Sequence, residues 1–196
     1  VTNREAFDAD SPPVVKGRTD AMITDRDITT PATPYALALL RIAYGILWLQ
    51  QVLWKVPPDF GLAHGDGLYY WTQQMAQYSF LAPHKLFVTS VVLPHFLLFG
   101  WLTFFTELFI AASLLLGLFT RLGALAAFGM ATNLFIGLAR HPNEWPWSYL
   151  MLIGFAILFL STHAGHVFGL DGVLARRVAA APAVEGRWAR AFALLT

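Results

Sequence analysis

The chain has 196 residues, of which 57% are hydrophobic and only 13% charged, with seven tryptophans and a net charge of +1. That is far more apolar than a soluble domain and points to a membrane protein, with the lipid bilayer as its first partner. The near-neutral charge, with no basic patch of interleaved aromatics, sets nucleic acid aside as a partner; the absence of cysteine excludes disulfides, iron–sulfur clusters and thiolate metal sites within the chain.

Residues 1–34 mix Asp, Arg, Thr and Pro without hydrophobic period and read as a polar tail. They have no basic stretch leading into a short apolar core, so the first span is expected to direct its own insertion. That span covers about residues 35–56 and stops at "VPPDFG", where two prolines cannot continue a helix. Inside it, Arg41, Tyr44, Trp48, Gln51 and Lys55 recur at steps of three or four and share one helical stripe. In a bilayer the apolar faces meet lipid, so this stripe must meet other helices or a cavity.

Residues 61–93 are too polar to span but rich in aromatics, as expected of a helical segment at the membrane interface. The second span, about residues 94–119, would be roughly 39 Å long and therefore tilted or overlong. Its only acidic residue is Glu107. A "TRLG" turn leads to the third span, about 122–139, and the loop "RHPNEWPWS" leads to the fourth, about 147–162. Asp171 follows as an expected N-cap for a short surface helix, and residues 176–196 read as a basic amphipathic tail split by Pro182. The expected fold is all-α: an integral membrane four-helix bundle over residues 35–175 with an outer interfacial helical segment.

Four spans put both termini and the Thr120–Arg121 turn on one side, which then holds nine of the thirteen Lys and Arg residues. The positive-inside rule places that side in the cytoplasm and the chain in the inner (plasma) membrane. Counted from the cytoplasmic ends, Glu107 and Asn133 come out at roughly 18 and 17 Å depth, Gln51 at roughly 23 Å and Arg41 at roughly 9 Å. A carboxylate on lipid near mid-bilayer costs at least about 2.5–3.5 kcal/mol, so Glu107 must be protonated, paired or turned to a cavity. An Arg41–Glu107 interaction, direct or through water or Gln51, is expected. Arg41, Gln51, Asn133 and Lys55 with Glu107 would then bound a polar cavity for a small polar-headed molecule such as quinone, or a path for protons. The same residues also suit the simpler purpose of fixing helix register. Within the spans no two histidines face each other at a common depth, so neither haem nor metal is expected. Aromatics near the outer mouth could line a groove for a quinone or lipid tail.

The stretches "LLRIAYGILWLQQVLWKV", "ELFIAASLLLGLFTRLGALAAFGMATNLF" and "GHVFGLDGVL" resemble the DoxX/DoxD family of four-helix membrane proteins. The resemblance rests on Arg41 and Lys55 at the two ends of the first span, on Glu107 ahead of "LLLGLFTR", and on the Gly165, Gly169, Leu170, Asp171 exit. It implies a membrane subunit of a quinone-linked oxidoreductase, such as one oxidising thiosulfate or another sulfur compound. Glu107 would be the catalytic proton-handling group, quinone the cofactor and other subunits of a redox complex the partners and the source of electrons. The long tail and outer segment also suit an accessory, non-catalytic subunit docked on a larger respiratory or photosynthetic complex.

Overall fold

In the computed structural model, residues 32–180 are described, with side chains to residue 177. Nearly all of the polar N-terminal tail, and the C-terminal tail beyond residue 180, lie outside the described residues. The chain forms α1 (Thr33–Leu53), α2 (Gly67–Tyr78), α3 (Ala82–Phe87), a π-helical turn (Val88–Val92), α4 (Phe96–Leu116), α5 (Thr120–Leu138), α6 (Pro146–Ser161) and α7 (Leu170–Ala180). α1, α4 and α5 are long and apolar enough to cross a membrane, and α6 is a shorter apolar helix of 16 residues. These four form the bundle.

Local chemistry sets the ends. α1 runs out just before Pro57 and Pro58, which cannot donate the next helical hydrogen bonds. α4 ends at Gly117, whose φ of 59° is the left-handed conformation that glycine adopts without a Cβ clash. α6 begins with Pro146 in its first turn, where no intrahelical N–H bond is needed.

Small residues bring α5 and α6 together: Ala124, Ala127 and Ala131 on α5 and Ala156 on α6 are fully buried. Lipid tails are as apolar as leucine, so close backbone packing of this kind, rather than escape from water, holds membrane helices together. α1 joins through Tyr44, whose hydroxyl donates to Leu152 O at 2.8 Å and whose ring meets Phe155 and Phe159.

The outer segment resolves into α2, α3 and the π turn, with His95 at the joint before α4. α2 crosses the end of the bundle where α1 finishes, and its Leu68, Trp71, Thr72 and Met75 face inward. In the loop ahead of it, Phe60 is buried against Trp101 and Phe104 of α4.

Candidate functional site

The buried polar residues fall into two groups at opposite ends of the bundle. At the α1 N-terminal end, Arg41 is fully buried and donates through its two terminal nitrogens to Ala164 O at 3.0 Å and Phe168 O at 2.8 Å. Arg121 donates to Leu160 O at 2.9 Å. Leu160 O lies in the last turn of α6, which leaves acceptors unpaired and whose dipole favours positive charge, and Ala164 O and Phe168 O lie in the loop between α6 and α7. Asp171 completes the knot. Its carboxylate accepts from Phe119 N–H at 2.8 Å and Thr120 N–H at 3.0 Å, and its own N–H donates to Gly117 O at 2.8 Å. A Cβ at Gly165 would run into Asp171 and Thr120, so only glycine leaves room there.

Two expectations are corrected here. Arg41 does not meet Glu107, nor does it line the cavity: its planar fork reaches two backbone carbonyls at the nearer end. Asp171 does not cap its own helix; it lies in the first turn of α7 and caps α5 from 51 residues away.

At the other end, beneath α2, lies a cavity of about 650 Å³ lined by the C-terminal half of α1, the N-terminal parts of α4 and α6, the C-terminal part of α5, and α2. Gln51, Lys55, Glu107 and Asn133 all line it. Lys55 Nζ lies 2.6 Å from Glu107 Oε2, donates to Gln51 O at 2.7 Å and sits 4.1 Å above the Trp54 ring. Both members of the pair are almost completely buried, with side chains 3% exposed. Gln51 Oε1 accepts from Trp54 Nε1 at 3.1 Å, which leaves the amide NH2 as its donor. Asn133 Oδ1 accepts from His84 Nε2 at 3.0 Å, and His84 Nδ1 meets Ser79 Oγ at 2.9 Å.

Sequence reasoning missed Glu144, which lines the cavity and whose Oε2 accepts from the Tyr149 hydroxyl at 2.7 Å. An acidic residue beside a tryptophan-rich loop and five positions ahead of a tyrosine was the available signal. Trp48, Trp71 and Phe99 add flat aromatic walls.

A family model described as the TQO small subunit DoxD matches residues 36–188. The chain belongs to the DoxD family. No curated protein and no solved structure matches it. The residues that carry the DoxD resemblance divide between the two ends. Arg41, Gly165, Gly169 and Asp171 gather at the knot with the Gly117–Arg121 turn. Lys55 and Glu107 form the pair in the cavity wall. This DoxD chain thus has one buried cluster whose Arg41 and Asp171 hydrogen-bond to backbone groups and another that faces open space.

Proposed function

We propose that the chain is the quinone-binding membrane subunit of an oxidoreductase that takes electrons from a partner subunit, in the manner of thiosulfate:quinone oxidoreductases. The observation that carries the reading is the buried Lys55–Glu107 pair set in the wall of an aromatic-lined cavity. A volume of about 650 Å³ falls in the usual range for small-molecule sites, roughly 300–1,000 Å³. The donor set fits a quinone head: an ammonium, a free amide NH2 and a carboxyl around flat aromatic surfaces.

When bound, a quinone supplies two-electron acceptor chemistry coupled to protons. Lys55 Nζ and the Gln51 amide would be the donors that hold a carbonyl oxygen, and Glu107, with Oε2 on Lys55, would hold and pass on a proton at Oε1. Trp48, Trp71 and Phe99 would offer flat apolar surface to a quinone ring, and α2 covers the cavity on one side. Electrons arrive from another protein, in keeping with the description of the family as a small subunit. The basic residues flanking the spans support an inner-membrane location with termini in the cytoplasm, which puts the cavity toward the outer face.

The test is quinone-coupled turnover of the intact complex carrying Glu107→Gln. Turnover should fall while the chain keeps its fold and its partners. Wild-type turnover in this variant would overturn the assignment, and full activity of the complex without the chain would leave it an accessory subunit.

A further inference from the structure

The geometry points to a lateral portal between α1 and α6 through which the cavity takes a neutral amphiphile with a long apolar tail directly from the bilayer, while anions are kept out. The inference rests on the reading of the cavity as a quinone site and adds how the ligand arrives and what charge it carries.

The α1–α6 seam has a floor. The Tyr44 hydroxyl on Leu152 O, with Tyr44 against Phe155 and Phe159, ties the two helices together at one level. The helices run antiparallel, so one turn further along α1 lies opposite one turn back along α6. There the lining residues change character. Leu47 on α1 is 46% exposed, and Met151 and Trp147 on α6 are 49% and 57% exposed, although all three line the cavity. A side chain that borders a cavity and also faces the outside marks an opening; Trp54 and Phe87, 39% and 48% exposed, mark others near the ends of α1 and α3. The α1–α6 opening lies on the side of the bundle between two apolar helices, which in a bilayer would face acyl chains. Apolar side chains at such a mouth suit an alkyl or isoprenoid tail trailing out into lipid.

Charge fixes the other half. Among the described residues Lys55 is the only cation lining the cavity, and Glu107 already matches it at 2.6 Å. Glu144 in the lining adds a further carboxylate. An anion would therefore enter an apolar space with no unmatched positive charge to receive it, which is unfavourable. A sulfur oxyanion or any other anionic electron donor has to react on the partner, and this chain handles only the lipid-soluble acceptor.

The natural absence of cysteine allows a clean test. The full chain, carrying Leu47→Cys, Met151→Cys or the control Leu39→Cys, is folded first and then labelled with a bulky maleimide. Leu39 is 61% exposed on α1 but lies toward the opposite end. The labelled proteins are reconstituted in phosphatidylcholine vesicles containing ubiquinone-10, and quinone bound per chain is counted by mass spectrometry after repurification. Labels at residues 47 and 151 should cut bound ubiquinone-10 more than tenfold, the label at 39 should not, and tail-less ubiquinone-0 should still bind. Equal uptake with and without the labels at 47 and 151 overturns the portal. Displacement of ubiquinone-10 by millimolar thiosulfate overturns the exclusion of anions. If the unlabelled chain binds neither quinone, the quinone reading fails by itself, and the methyl ester of 16-doxyl-stearate, a neutral tailed probe, decides the portal: uptake blocked by the labels supports it, and unblocked or absent uptake overturns it.

Discussion

At the α1 N-terminal end Arg41 is fully buried, and at the other end Lys55 is 4% exposed, so both ends of the bundle bury a cation. Their surroundings differ. Arg41 reaches backbone carbonyls, and Asp171, on the same knot, reaches backbone N–H groups. Each charge there is tied to atoms that the fold cannot move. Lys55 instead meets the side-chain carboxylate of Glu107, and both border an open cavity. Charges that satisfy the main chain hold a structure together, whereas a charge pair beside open space can exchange a partner for a ligand. On that contrast the knot should carry stability and the cavity end should carry function.

The largest effect at the knot should come from Asp171→Ala. It strips two charge-assisted bonds from buried amides and should cost about 2–5 kcal/mol, seen as a large drop in thermal unfolding temperature in detergent. Arg41→Met should follow at about 2–4 kcal/mol. Quinone bound per folded molecule should stay the same in both, and loss of binding at unchanged stability would collapse the contrast between the ends.

At the cavity end the pattern should reverse. Glu107→Gln should lower quinone-coupled turnover by about 100-fold or more, the usual scale for a proton-transfer group, and should lower the unfolding temperature less than Glu107→Leu, because the amide oxygen still accepts from Lys55. Removing one charge outright sharpens the point. Glu107→Leu leaves Lys55 buried without its partner and should cost about 3–5 kcal/mol, yet the double variant Lys55→Met/Glu107→Leu should regain most of that stability and still lack turnover.

The smallest effect concerns His166, in the loop beyond α6. Desolvation, with His163 alongside at a ring distance of 5.1 Å, holds its pKa below the ordinary histidine value. The unfolded chain therefore binds the proton more readily than the folded one. The stability contributed is present above the ordinary histidine range and is lost as pH falls through it. A slight decrease in unfolding temperature on acidification should be seen in the wild type and should shrink in His166→Gln.

The bundle helices were legible because their signals are local: uninterrupted apolar runs, bounded by Pro57 and Pro58, by Gly117 and by Pro146. The polar stripe of α1 was legible for the same reason, since side chains three and four apart share a face whatever lies opposite. Partner choice was not. Depth counting put Arg41 within reach of Glu107 because it followed only the distance along the membrane normal, and it could not see that the loop after α6 turns carbonyls toward Arg41. Asp171 looked like a local cap because capping rules are local, yet its bonds run to the start of α5. Glu144 drew no notice because it sits in a loop, where an acidic residue is ordinary until the fold places it in a cavity lining.

The sequence by itself determined that this is a membrane protein of apolar helices, which residues are too polar to face lipid, and the family resemblance. Composition and period decide those properties residue by residue. Only the tertiary structure decided which buried charge meets which partner, and that one cluster closes on the backbone and the other on a cavity. Those outcomes depend on distances between segments far apart in the chain, which no local pattern encodes.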